Sequence, residues 1–365
     1  MDDLSYHDNI VAYDDISEEK KNIIQQWDNL TMHLTDIATK KKIPGKLTLE
    51  LTPECNLYCK MCYVRLDKSE MKNIGQLLTA DEWIKITRDA VNLGSLFIMI
   101  TGGEPLLHPE FEKIYTEISK MGCRICLLTN GVHVTDKVLE MLVKYPPSSM
   151  LLTLYGASEA TYEKVCKNGK AFNSVINNII RIKSALPNTP FSIRATLIKD
   201  NVDDVNDMIE IVKKFDTTLS LCTTILRPVR GAVRPELVDS RLTQKEIRSI
   251  MYKYLYYDKV SNEDEIGKIR TDKNYNCNAG VGACVVTWDG KMIPCVLYSS
   301  PYTEPMKDGF SVAWEKLKDL KKEMTIPQRC VNCKNSDFCG SCPAYIQAES
   351  GTYKDNESYL CSPKY

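Results

Sequence analysis

Three thiols stand close together in "CNLYCKMC": Cys55, Cys59 and Cys62, a C-x3-C-x2-C array. Cysteine thiolates are soft ligands for zinc and for iron–sulfur clusters. A closed zinc site wants four ligands, and this loop supplies three. Three thiolates can instead hold three irons of a [4Fe-4S] cluster and leave the fourth iron open to a small chelating molecule, such as the amine and carboxylate of an amino acid. A second candidate stretch is "TGGEP" (101–105), whose Gly102 and Gly103 permit close backbone approach beside the carboxylate of Glu104. "TNG" (129–131), with Asn130 at its centre, and Thr153 complete the set.

These residues need elements that bring them together, and the chain supplies a repeating order. "KLTLEL" (46–51) alternates as a strand and runs straight into the cysteine loop. "TADEWIKITRDAVNLG" reads as a helix, with Thr79 and Glu82 forming a capping box and Gly94 taking the left-handed turn at its end. "LFIMI" (96–100) suits a strand buried on both faces, and Pro109 opens a helix that closes at Gly122. "CRICLLT", "SMLLTLY", "FSIRATLI" and "TTLSLCTTIL" are four further strands, separated by helical patterns near 135–144, 158–184 and 202–214. Six β/α units of this kind predict a parallel α/β barrel, complete or partial, with its chemistry on loops at the carboxyl ends of the strands. All four candidate stretches fall at such ends.

Composition narrows the class further. Hydrophobic residues make up 43% of the 365, enough for a sizeable core, and 47 basic against 48 acidic side chains give no field that would draw nucleic acid or an anionic membrane. The acidic start "MDDLSYHDNIVAYDD" is unlike a secretory signal, and no apolar stretch approaches bilayer length, so the expectation is a cytoplasmic protein. Fifteen cysteines in so long a chain, bunched in CxxC-type pairs, point to metal or cluster ligation rather than to disulfides. Eight of them follow residue 276: Cys277, Cys284, Cys295, Cys330, Cys333, Cys339, Cys342 and Cys361. The run from Cys330 to Cys342, C-x2-C-x5-C-x2-C, is by itself compatible with a zinc ribbon.

Taken together, the CxxxCxxC loop and the "GGEP" motif resemble the radical S-adenosylmethionine (SAM) enzymes. The tail from "CNAGVGACVVTWDGKMIPC" to Cys361 resembles the SPASM domain that many of them append. The resemblance covers roughly 46–365 and implies a partial (β/α)6 TIM-like barrel over 46–245, a cysteine-rich SPASM domain over 246–365 and a helical extension over 1–45. It implies SAM on the open iron, with Gly102, Gly103 and the polar groups around Glu104 at the methionine ammonium. Asn130 lies near the cofactor, Thr153 serves the ribose, and Arg194 is a candidate for the SAM carboxylate. Met61 stands where relatives commonly place an aromatic against adenine, and a thioether can fill that space. Two auxiliary [4Fe-4S] clusters bring the total to three: Cys277, Cys284, Cys295 and Cys342 for one, Cys330, Cys333, Cys339 and Cys361 for the other. "WDGK" reads as a tight turn, so Cys284 and Cys295 flank a hairpin. Cys123, Cys126, Cys166 and Cys222 are left as small core or surface residues.

By the same resemblance the chemistry is reductive cleavage of SAM to a 5'-deoxyadenosyl radical, fed by an external donor such as a flavodoxin or ferredoxin. Relatives with SPASM domains mostly modify peptides, so the expected partner is a precursor peptide that acquires a thioether or carbon–carbon crosslink. Sulfatase maturation to formylglycine is the alternative, and a non-catalytic, metal-stabilised binding protein is the other. Sulfatase-maturing relatives usually carry an aspartate immediately after the cysteine corresponding to Cys295; here that residue is Val296, which accepts no proton. The helical stretch 17–42, with Ile23, Ile24, Trp27, Leu30 and Leu34 near helical spacing, either covers the barrel or docks a peptide. Arg227, Arg230, Arg234 and Arg241 follow the last strand and read either as an acidic-peptide contact or as a solvated loop.

Overall fold

Alternating and continuous apolar runs become strands where the periodicity places them. A computed structural model describes residues 10–11, 16–256, 277–331, 333, 342–350 and 361. Its strands are β1 (Ile10–Val11), β2 (Lys46–Glu50), β3 (Phe97–Thr101), β4 (Arg124–Thr129), β5 (Ser149–Thr153), β6 (Phe191–Thr196), β7 (Leu219–Cys222), β8 (Ala283–Val286) and β9 (Met292–Ile293). They form one sheet in the order β1-β7-β6-β5-β4-β3-β2-β8-β9. The six strands β2 to β7 are parallel and pair in chain order, and no pair closes the sheet on itself among the described residues. This is a TIM-like α/β fold whose barrel is open.

Within each strand the two faces differ. Ile98 and Ile100, Ile125 and Leu127, and Ile193 and Ala195 are buried in the main apolar cluster. Met99, Cys126 and Arg194 point the other way and line the lumen. The helix Ala80–Asn92 has the expected reciprocal cap: Thr79 N–H donates to Glu82 Oε2 at 2.8 Å, and Gly94 carries φ +106°. Pro109 lies just ahead of its helix, Phe111–Ser119, rather than in its first turn. The single helix expected over 158–184 is two, Glu159–Cys166 and Ala171–Ala185. Lys167 takes the left-handed conformation between them, with its N–H closing the first helix on Glu163 O.

Both ends of the sheet carry additions. β1 pairs antiparallel with β7, and β8 runs parallel to β2, so the cysteine-rich tail extends the barrel's own sheet. β8 and β9 form the expected hairpin, turned by Gly290 at φ +82°. The long amino-terminal helix, Glu18–Lys41, places Thr31 at the amino-terminal end of the lumen and Ala38 against Gly45. Leu30 is exposed, and the side chains of Ile23, Ile24 and Trp27 lie outside the described residues. No helix among the described residues is long and apolar enough to cross a membrane.

The arginines after β7 serve the fold. Arg230, 9% exposed, donates to Glu50 Oε1 at 2.7 Å and to the carbonyls of Val296 and Tyr298, which ties β2 to the tail. Arg241 and Arg227 both hold Glu349 of the helix Pro343–Ser350, and Arg234 donates to Arg65 O. Three of these arginines are thus in ion pairs within the chain and the fourth caps a carbonyl. A buried pair that loses one partner leaves an uncompensated charge. Arg230→Met should therefore destabilise the protein by about 3–5 kcal/mol, read as a shifted urea midpoint; an unchanged midpoint would mean that the pair contributes nothing.

Candidate active site at the strand ends

Loops after β2, β3 and β4 meet because their backbones fit together. Leu51 N–H donates to Thr101 O at 2.9 Å, Gly103 N–H to Thr52 O at 2.7 Å and Glu104 N–H to Glu54 O at 2.8 Å. A Cβ on Gly103 would lie 2.6 Å from Pro53 O and nearer still to Glu54 O. Gly102, at φ +146°, faces the Thr52 backbone just as closely. The glycines of "GGEP" therefore give close approach to the cysteine loop itself, immediately ahead of Cys55.

Glu104 is turned inward and fully buried. Its carboxylate accepts from Leu106 N–H at 3.1 Å, Thr129 Oγ1 at 2.8 Å and Asn130 N–H at 2.7 Å. Burial pushes its pKa up to about 7, against the pull of those three donors. Asn130 in turn donates from Nδ2 to Asn56 Oδ1 at 2.7 Å and to Cys55 Sγ at 3.5 Å. Glu104 and Asn130 thus brace the loop that carries the first thiol.

The thiols themselves are partly to fully buried, and each influences the others. Burial raises Cys55 and Cys62, and the neighbouring Cys59 raises both further. Cys59 is raised by its contact with Cys166 and then by burial. Backbone amides point at two sulfurs, Leu57 N–H at Cys55 and Arg65 N–H at Cys62, at 3.4 and 3.3 Å. Three coupled thiols that resist ionisation need a cationic centre to hold them as thiolates, which fits iron ligation. Thr153 Oγ1 is buried without a well-aligned hydrogen-bond partner, although the Tyr155 hydroxyl stands close enough to act on both Thr153 and Cys59. An orphaned hydroxyl on the lumen face of β5 fits a cofactor's ribose.

Other expected residues fall as follows. Met61 is buried in the main apolar cluster. Arg194 is registered across from Thr153 on the neighbouring strand and lines the lumen, where its charge acts on Cys126 two strands away. In the tail, Cys277, Cys295 and Cys342 act on one another electrostatically, and burial pushes Cys295 up to about 12. Burial alone raises the Cys284 thiol, which sits in the main apolar cluster together with Cys342, while Val285 beside it packs with Cys295 and Cys342. Cys330, Cys333 and Cys361 form a second group, and Cys339 lies outside the described residues. Among the described residues no three His, Cys, Asp or Glu side chains gather about a single-ion position. Two neighbours had no sequence signal: Cys166, whose Sγ lies 3.6 Å from Cys59 Sγ across 107 positions, and Tyr155. The backbone of Cys166 and Val165 also accepts from Tyr58 and Lys60 N–H at 2.9 Å, pinning the loop to the end of a helix.

Residues 49–212 match the family model of the Radical SAM superfamily. Over 340 residues the chain is 24% identical to the AdoMet-dependent heme synthase of Methanosarcina barkeri, covering 87% of this chain and 96% of that one. It is 24% identical over 277 residues to the sporulation killing factor maturation protein SkfB of Bacillus subtilis, covering 74% of this chain and 64% of SkfB. The fold is similar to that of Streptococcus suis SuiB in the crystal structure with its precursor peptide SuiA, at a TM-score of 0.67 and 14% identity over 92% of this chain and 81% of SuiB.

The backbone seam makes a direct prediction. Gly103→Ala forces the "GGEP" loop off Pro53 and Glu54, so the purified variant should fold yet lose most of the iron bound by the C-x3-C-x2-C loop, measured by iron analysis against Cys55→Ala. Full iron retention would show that the seam is dispensable.

Proposed function

We propose that the chain, whose residues 49–212 match the Radical SAM superfamily, is a radical SAM enzyme that modifies a ribosomally made precursor peptide, forming a thioether or a carbon–carbon crosslink. One observation carries this reading: three coupled thiols, Asn130 and the orphaned Thr153 hydroxyl converge at the carboxyl ends of an open parallel barrel. Support for a peptide comes from SkfB, named for maturation of a killing factor, and from SuiB, whose structure holds a precursor peptide. When bound, the cluster and SAM supply the electron and the hydrogen-abstracting 5'-deoxyadenosyl radical. The chain's residues bind and orient. Cys55, Cys59 and Cys62 hold the cluster, Gly102, Gly103 and the backbone around Glu104 receive the methionine ammonium, Thr153 the ribose, and Met61 lies against adenine.

We assign the tail, 246–365, to two auxiliary clusters on Cys277, Cys284, Cys295 and Cys342, and on Cys330, Cys333, Cys339 and Cys361. Residues 46–245 form the barrel, and 1–45 its helical extension. A flavodoxin or ferredoxin in the cytoplasm is the proposed electron source. A small-molecule substrate is the second reading, because the match to the heme synthase spans 87% of this chain.

Anaerobic reconstitution with iron and sulfide tests the assignment. About twelve irons should bind per chain, and the reduced protein should cleave SAM to 5'-deoxyadenosine; stoichiometric zinc without iron would overturn it. Alanine at Cys55, Cys59 or Cys62 should abolish cleavage. Alanine at Cys339 should spare much of it while blocking peptide product, and normal product from that variant would remove the tail from the reaction.

Val296 separates crosslinking from sulfatase maturation. Its side chain packs with Tyr298 and Met324, and its carbonyl accepts from Arg230, so this position supplies no base. Oxidation of a cysteine to an aldehyde sheds a proton together with the electron and needs such a base. A substrate thiolate forming a thioether is already deprotonated. The enzyme should leave a sulfatase-derived peptide unchanged by mass spectrometry yet remove two hydrogens from a peptide encoded beside it; an aldehyde product would contradict this.

A further inference from the structure

Four cysteines lie outside the ligand sets, and one of them touches a ligand. Cys123 and Cys222 turn their thiols to nearby carbonyls, Ile118 O and Thr224 O, and Cys126 lies beside Ser149. Cys166 is different. It is the last residue of the helix Glu159–Cys166, it is fully buried, and its Sγ lies 3.6 Å from Cys59 Sγ. Two backbone bonds fix this approach on either side of Cys59: Tyr58 N–H donates to Cys166 O and Lys60 N–H to Val165 O, both at 2.9 Å. Tyr162 and Val165 of the same helix are fully buried in the main apolar cluster, so the Cys166 thiol is held away from water.

The three loop sulfurs are not supplied alike. Cys55 Sγ receives Leu57 N–H at 3.4 Å, and Cys62 Sγ receives Arg65 N–H at 3.3 Å. At Cys59 Sγ the neighbours are Cys166, the Tyr155 hydroxyl and its own amide. As a thiol, Cys59 donates to Cys166 Sγ. As a thiolate on iron it has no proton to give and only accepts, so the contact must reverse, with the Cys166 S–H donating to Cys59. A donor to a ligand sulfur stabilises the more negative, reduced cluster over the oxidised one and so raises its reduction potential.

We propose that Cys166 tunes the cluster of the C-x3-C-x2-C loop: its S–H donates to the Cys59 thiolate and raises the potential at which that cluster takes one electron from its external donor. Cys166 acts through Cys59 and is a positioning residue. The inference rests on Cys59 being an iron ligand and is independent of the substrate modified. A neutral donor of ordinary strength changes the reduction equilibrium about fivefold, which for a one-electron couple is about 40 mV.

Potentiometric titration of the reconstituted full-length protein with dithionite, followed by electron paramagnetic resonance, reads this potential; the loop's signal is the one that SAM reshapes. Cys166→Ala removes the donor and should lower the potential by that fivefold step, with iron content equal to the wild type. Cys166→Val also removes the donor and leaves no room for a water in its place, so it should fall as far. Cys166→Ser keeps a hydroxyl donor and should hold or raise the wild-type potential. A potential unmoved by alanine and valine, or lowered as far by serine, would overturn the inference while leaving the cluster in place. Absence of any signal that SAM reshapes would remove the iron reading, and the inference with it.

Discussion

The seam between residues 51–54 and 101–104 is the constraint on which the rest of the site depends. Two loops leave adjacent parallel strands and stay hydrogen-bonded past the sheet's end, at 2.7–2.9 Å, only because Gly102 and Gly103 carry no Cβ. Glu104 then turns its carboxylate to the next loop, through Thr129 and Asn130, while Leu106 N–H holds it from its own loop. Asn130 closes the chain of contacts at Asn56 and Cys55. A loop of three thiols, which would otherwise wander, is thereby registered to three strand ends and to the helix end at Cys166. Preorganisation of this kind spares a bound cofactor the entropy of ordering its own ligands.

Much of this was legible in the sequence because periodicity and spacing are local. The six parallel strands follow from short apolar runs, the Thr79 cap from its glutamate three residues on, and the hairpin at Gly290 from "WDGK". The paired glycines signalled a close approach, although their partner is the cysteine loop's backbone as well as any ligand. What stayed hidden depends on pairings far apart in the chain. Arg230 and Arg241 read either as contacts for an acidic peptide or as solvated charges, yet each meets a buried glutamate, Glu50 and Glu349. Nothing near Cys166 announces Cys59, and nothing in "ACVV" says that it will lie beside β2 rather than in a separate sheet. The break at Lys167 escaped because a lysine in the left-handed conformation has no compositional mark.

Electrostatics sets apart the end of the lumen that carries the cysteine loop. At the carboxyl ends of the strands, burial raises the thiols of the loop, and a bound metal centre would hold them as thiolates. Alternation along the strands decides which side chains face inward. Tail and barrel share one sheet through β2 and β8, and Arg230 clasps the two, so the hairpin that carries Cys284 and Cys295 is held in fixed relation to β2 and the loop that follows it.

The central claim is that the loop's cluster keeps one iron free of protein ligands and that SAM takes it. Electron paramagnetic resonance of the reduced protein, with both tail groups removed by Cys295→Ala and Cys333→Ala so that a single cluster remains, reads this directly. Addition of SAM should change the g-values and linewidth of that one signal, and alanine at Cys55 should abolish the signal altogether. A spectrum unmoved by saturating SAM would mean that the fourth corner is already taken, and the account would fail.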